Sequence, residues 1–334
     1  MGVRRIVVSS IAVASLLAGG MSAPAAAVPG KPRVTLRVVT PFAAGHVLAD
    51  TAYRFEDLVE RRSHGRIQVE VATSVLNEQT IDPAMVPCAA ADRVGDVLLT
   101  GGQPIQDYAP AYFFFNGPYV IRDYEHFRRV WASHLGKEAR QLIAAKGNLT
   151  TLGTAYRGFR QFTANRPITG PADLSGLALR LPPVPDWVTV WSSLGTRPVQ
   201  VPLPGIYDAL RSGTAEASEG DLTQIRSLRL NEVQSHLSLT SHLVSFGMVA
   251  ANTCFLNDLT PRNRALVRQA VRQATDWATG RIATDEEALL AELGQSMQIV
   301  TPDAAAVRAA ARPAIDGLFA TKWNVTTWDE VLSY

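Results

Sequence analysis

From Val34 onward the sequence switches repeatedly between two periods, and no other feature limits the fold so tightly. "VTLRVVT" alternates apolar and polar residues. "HVLADTAYRFEDLVERRSHG" spaces its apolar residues by three and four and stops at Gly65, and "RIQVEVA" returns to period two. "TIDPAMVPCAAADRV" reads as a helix broken or started near Pro83, and "GDVLLTGG" as a short buried strand. A second set follows: strand "LTTLGTAY", strand "LALRL", helix "PDWVTVWSSLG", strand "RPVQVP" and helix "PGIYDALRSG", with Pro204 near its start. Strands that alternate with helices pair mostly in parallel, because each helix carries the chain back across the sheet. Two such sets of similar size predict two α/β lobes.

The remaining segments connect them. "LVSFGMVAANTCFL" is a β-rich apolar run suited to a strand that crosses between lobes, and "DYEHFRRVWASHLGKEARQLIAAKG" gives one or two amphipathic helices. The aromatic run "APAYFFFNGPYV" is too short and too rich in Pro and Gly for a membrane element; it packs into a core or lines a cleft. From Thr260 as N-cap and Pro261 at the first helical position, a helical pattern continues to about Gly294. Such a helix reaches roughly 50 Å, enough to brace both lobes, with Gly280 marking a possible kink. "TPDAAAVRAAARPAIDGLFA" forms a last helix.

Composition narrows the function. Of 334 residues, 47% are hydrophobic and 19% charged, and the net charge is +2, so no basic stripe is present to hold nucleic acid. Residues 1–27 read as a cleavable signal peptide: Arg4 and Arg5, the apolar run "IVVSSIAVASLLAGG", and a small-residue cleavage point after Ala27. Gly20 stands where a lipoprotein would carry its lipid-bearing cysteine, so the expected product is a free periplasmic or secreted protein. Cys88 and Cys254 therefore reside where disulfides form, but their apolar neighbours favour two buried free thiols. The motifs G-x-S-x-G, H-E-x-x-H, Walker A and G-x-G-x-x-G are absent, and no two histidines stand four apart on one expected helix. Neither a metal nor a cofactor is expected.

Arginines supply the positive signal. In "LALRLPP", alternation places Leu177, Leu179 and Leu181 on one side and Ala178 and Arg180 on the other. A guanidinium cannot be neutralised and offers a planar fork of donors suited to a carboxylate, although an exposed or salt-bridged arginine gives the same pattern. Four ordered motifs add to this: G-x-R-Q-x-T around Arg160, D-L-x-G-L-x-L-R around Arg180, L-G-x-x-P-V around Leu194 and Y-x-A-L-x-x-G around Tyr207. Together they resemble the solute-binding proteins of tripartite ATP-independent periplasmic (TRAP) transporters, in order from about Val34 to Pro313.

The resemblance implies a type II-like, periplasmic-binding-protein-like fold: two α/β lobes, interlobe strands and a long bracing C-terminal helix. Lobe I is expected at 33–157 plus 246–285 and lobe II at 158–245 plus 286–334. It implies a monomer that closes on a small organic acid, with Arg180 gripping the carboxylate and Arg160 assisting, and that delivers its cargo to a two-component permease driven by an ion gradient. The chain departs from the family at Gly205, where Glu is common, and at Gly220, where an asparagine often touches ligand; Glu219 keeps the neighbouring acidic position. Glycine at both points suggests extra room, or contacts through backbone groups. Glu219 is placed to pair with an arginine and set its orientation. Other cleft candidates are Trp187, either stacking on ligand or packing on the sheet; His46, in the loop after the first strand; and Tyr156 and Phe114 as aromatic linings. Trp191 is expected in the core and His242 near the hinge. Two further readings stay open: a binding protein that signals or scavenges, and a secreted enzyme with an arginine-lined anion site.

Overall fold

A computed structural model describes residues 34–334; the expected signal segment 1–27 lies outside them. The strands are β1 (Val34–Val39), β2 (Ile67–Ala72), β3 (Val97–Thr100), β4 (Leu149–Ala164), β5 (Ala178–Leu181), β6 (Arg197–Gln200), β7 (Ala217–Asp221), β8 (His236–Asn252) and β9 (Gln298–Val300). All belong to one continuous sheet in the order β2-β1-β3-β8-β4-β7-β5-β6, with β9 beside β8. Pairing is parallel at each end of the sheet, β1 with β2 and β3, and β5 with β6 and β7. The middle is antiparallel, where β4 lies along β8 from Leu149–Asn252 to Ala164–His236. Thus the two α/β lobes are halves of one sheet, and β4 and β8 run through both. β4 runs on to Ala164, past the stretch "LTTLGTAY" that reads as a strand in sequence, because polar residues interrupt its alternation.

The helices are α1 (Val47–Ser63), α2 (Glu78–Ala84), α3 (Gln103–Tyr108), α4 (Tyr124–Ala132), α5 (His134–Gly147), α6 (Pro185–Ser193), α7 (Ile206–Arg211), α8 (Leu222–Ser227), α9 (Thr253–Asp258), α10 (Pro261–Leu293), α11 (Ala304–Thr321) and α12 (Trp328–Ser333). The long helix is α10, continuous through Gly280; a side chain there would meet open space, so nothing forces a kink. It packs against α1, β4 and α8. α2 is shorter than the sequence suggested, since Pro83 enters its last turn and the chain leaves the helix two residues later. The aromatic run 110–116 forms a 3₁₀ turn whose residues 112–116 are buried in the core, where Phe114 and Phe115 stack at 4.6 Å. The C-terminal segment crosses between lobes again. α11 packs on α6, Trp323 donates to Asp186 Oδ2 at 2.9 Å, and α12 then reaches α4, where His126 Nε2 lies 2.8 Å from Val331 O.

One sequence expectation is overturned. Cys88 and Cys254 are joined in a disulfide with Cα atoms 5.4 Å apart, closing a sequence separation of 166. Asn252 Nδ2 donates to Met85 O at 2.8 Å and Pro87 O at 3.1 Å, and Asn148 Nδ2 donates to Val86 O at 2.8 Å. These asparagines draw the loop after α2 onto the start of α9. Apolar neighbours announced burial but carried no information about this long-range pairing.

Candidate functional site

Where the lobes meet, β4 and β5 deliver arginine side chains into a narrow recess that Ser245 and Phe246 of β8 also line. Glu78, Gln103 and Asn116 line it from one lobe, Arg180, Trp187 and Gln224 from the other, and Arg157 and Arg160 from the shared strand β4. Arg157 and Arg160 are three residues apart, a spacing that sends side chains to opposite faces of a regular strand. The register of β4 against β8 shifts between Tyr156 and Gly158, and Gly158 has φ +95°, a conformation that favours glycine. This bulge rephases the strand, so both guanidinium groups reach the recess.

Two of the three arginines are already neutralised. Arg160 forms a two-pronged pair with Glu219, its Nε on Oε2 and its Nη2 on Oε1 at 2.8 Å, and lies 5.1 Å from the Trp187 ring centre. His242 Nε2 lies 3.3 Å from the same carboxylate. Burial alone would raise the Glu219 carboxyl, but the Arg160 guanidinium and the His242 contact bring it down to about 2. Arg157 Nη2 sits 3.0 Å from Asp221 Oδ2. Asp221 also accepts from Ser245 Oγ at 3.2 Å, Thr223 Oγ1 at 2.6 Å and the Gln224 N–H at 3.0 Å, which caps α8. Despite complete burial its carboxyl is held below the ordinary range, chiefly by Arg157.

Arg180 differs. It is 1% exposed, and its Nε and Nη2 donate to Val201 O at 2.8 and 2.5 Å, while Nη1 has no hydrogen-bond partner among the described residues. No carboxylate oxygen among those residues lies within 4.0 Å of its guanidinium. Burial lowers its pKa to about 10, partly offset by the more distant Glu219 and Glu78, so it remains a cation at neutral pH. A carbonyl fixes the plane of the fork and leaves its free edge toward the recess.

The recess does not collect all the sequence candidates. Trp187 lines it and donates from Nε1 to Asn116 O at 2.7 Å, a hydrogen bond between lobes. Gly220 stands under Gln224: a Cβ there would come within 2.7 Å of Nε2, so glycine lets the glutamine lean into the recess. Gly205 lies outside, in the turn 203–205; a Cβ would meet Val201 Cγ1 at 2.8 Å, so its service is to Val201, whose carbonyl holds Arg180. His46 sits behind Arg157 as the N-cap of α1, accepting the Leu48 N–H at 3.0 Å and stacked on Phe42 at 4.0 Å. Burial, then Arg157, lowers its pKa to about 3. Phe114 belongs to the core among Tyr112, Phe115 and Phe319, and Tyr156 packs on Tyr124 and Phe159; neither lines the recess. Trp191 is buried, as its helical position implied.

Glu78, Gln103, Asn116, Arg157 and Asp221 were not singled out by sequence reasoning. The signal for Arg157 was present in "YRGFR", where a glycine between two arginines marks a bulge. For Glu78 there was none, because it opens a helix whose start the pattern blurred.

A search against known proteins agrees with this architecture. The profile described as bacterial extracellular solute-binding protein, family 7, matches residues 39–322. A solute-binding protein of Roseobacter denitrificans is 30% identical over 269 residues, 79% of this chain and 80% of the relative. A C4-dicarboxylate-binding periplasmic protein of Rhodobacter capsulatus is 29% identical over 84% and 82% of the two chains. A crystal structure of a TRAP periplasmic solute-binding protein from Roseobacter denitrificans, with bound L-galactonate, superposes with a TM-score of 0.81 at 27% identity, covering 91% of this chain and all of that one. The shared fold and these matches along nearly the whole chain lead to one conclusion: this protein belongs to bacterial extracellular solute-binding protein family 7, the binding components of TRAP transporters.

Proposed function

We propose that this protein captures a small organic acid in the interlobe recess, with Arg180 receiving the carboxylate, and delivers it to a TRAP-type membrane permease. The reading rests on one observation: Arg180 is a buried cation whose countercharge is missing, next to two arginines whose countercharges are built in. A carboxylate on its free edge gains charge-assisted hydrogen bonds of roughly 1.5–3 kcal/mol each. Arg160 assists while Glu219 fixes its plane. Trp187 covers the site, Gln224 leans over Gly220, and His46 positions Arg157. Relatives are described as carrying L-galactonate or C4-dicarboxylates, which are all carboxylates.

The lobes are assigned as 33–157 plus 246–285 and 158–245 plus 286–334, with residues 323–334 reaching back to α4. The hinge lies at the Gly158 bulge. Links such as Trp187 to Asn116 and Arg226 Nη2 to Gly45 O at 2.9 Å describe a closed arrangement, which a ligand touching both lobes favours by mass action. The protein works as a periplasmic or secreted monomer after removal of residues 1–27, as a carrier and not an enzyme. A thermal-shift screen against organic acids tests the reading. A true ligand at ~100 times its dissociation constant adds roughly 2.7 kcal/mol of stability; a screen in which neutral sugars stabilise the protein and acids do not would overturn it.

A further inference from the structure

Glu78 is the one carboxylate in the recess that the protein itself leaves without a partner. It opens α2, is 8% exposed, and lines the same recess as the three arginines. Among the described residues no donor hydrogen-bonds to it, and no arginine or lysine nitrogen comes within 4.0 Å. Glu219 and Asp221, by contrast, are each held by a guanidinium and further donors. Gly101 makes this convergence possible: a Cβ there would meet Gln103 Oε1 at 2.7 Å and both Arg157 Nη1 and Glu78 Oε1 at 3.3 Å. Gln103 Oε1 is itself buried without a partner. The recess therefore has two unlike parts, a guanidinium edge lacking an acceptor and a pair of acceptors lacking donors.

A ligand that completes both carries one carboxylate and, away from it, hydrogen-bond donors. We infer that the cargo is a hydroxylated monocarboxylate, its carboxylate on Arg180 and its hydroxyls donating to Glu78 and Gln103, and that Glu78 rejects dicarboxylates. This deepens the capture of organic acids proposed above and rests on it. A second carboxylate would face the Glu78 oxygens with no cation to spare, since Arg157 and Arg160 are committed to Asp221 and Glu219. Discrimination of this kind comes from an unfavourable contact with the wrong ligand as much as from a good one with the right ligand. Hydroxyls suit the lining better than an ammonium, because the amides of Asn116 and Gln224 supply donors beside these acceptors and a hydroxyl uses both.

The experiment is calorimetric titration of the whole protein with chain-matched acids of three to six carbons: glycerate, erythronate and hexonates against malonate, succinate and adipate, with 4-aminobutyrate as the ammonium-ended control. A hydroxylated monocarboxylate is expected to bind at least ~10-fold more tightly than the matched dicarboxylate, and E78Q is expected to narrow that ratio several-fold by relieving the repulsion. A dicarboxylate or 4-aminobutyrate winning, or E78Q leaving the ratio unchanged, overturns the assignment of Glu78 and leaves organic-acid capture standing. Failure of every acid to bind sinks that broader reading as well.

Discussion

Replacing Glu219 by glutamine removes a charge from a buried ion pair of the site and leaves Arg160 stranded. The side chain of Glu219 is fully buried and that of Arg160 7% exposed, so solvent screens neither. The fall of the Glu219 carboxyl from 4.5 to about 2 corresponds to about 3 kcal/mol in favour of the folded, ionised form. Breaking buried pairs from one side costs about 3–5 kcal/mol, a similar size. Because the folded pKa is the depressed one, the contribution is fully present above pH 4.5 and is lost as pH falls toward 2. Urea unfolding of the ligand-free protein and of E219Q should therefore differ by about 3 kcal/mol at pH 7 and by about half that at pH 3. Adding R160M to E219Q should recover part of the loss, since the stranded charge leaves with it. A difference below about 1 kcal/mol at pH 7, or one that does not change with pH, would refute the argument that this pair is dry and firmly ionised.

Two other outcomes follow from the structure. Breaking the Cys88–Cys254 bond, by reductant or by C88S/C254S, frees a loop of 166 residues and should lower the unfolding free energy by about 3–5 kcal/mol, read by urea titration with and without reductant; an unchanged midpoint would mean the bond does not form in the folded protein. R226A removes the donor that joins α8 to the Gly45 carbonyl across the lobes, so small-angle scattering of the unliganded variant should show a larger radius of gyration than the parent, and identical profiles would exclude Arg226 as a latch.

Much of the fold was legible because it is written in local periodicity. β1, α1, β2, β5, α6 and α10 all coincide with segments whose apolar spacing is regular, and capping residues such as Thr260 marked the ends. The single sheet was not legible: β4 carries Thr, Gly, Tyr and Arg where alternation should be clean, and its pairing with β8 spans the molecule. In the site, Arg180 stood out because a charge in a short apolar strand conflicts with its surroundings, and Arg160 through the G-x-R-Q-x-T motif around it. Glu78 and Asp221 did not, since acidic residues beside a helix start are ordinary caps by sequence. Phe114 and Tyr156 misled for a related reason: an aromatic side chain reads the same whether it faces a core or a cleft. The disulfide needed three-dimensional proximity, which asparagines from two other segments create.

The claim that Arg180 is a cation awaiting its countercharge is tested most directly by R180M, measured twice, once for stability without ligand and once for affinity by calorimetry. Methionine keeps the apolar stem and removes the unpaired charge. The account predicts an unliganded protein as stable as the parent or more so, with affinity for the acid reduced at least ~100-fold, the loss of two charge-assisted hydrogen bonds. A variant that is several kcal/mol less stable yet binds the acid as well as the parent would contradict it, placing Arg180 among the structural ion pairs and the carboxylate elsewhere.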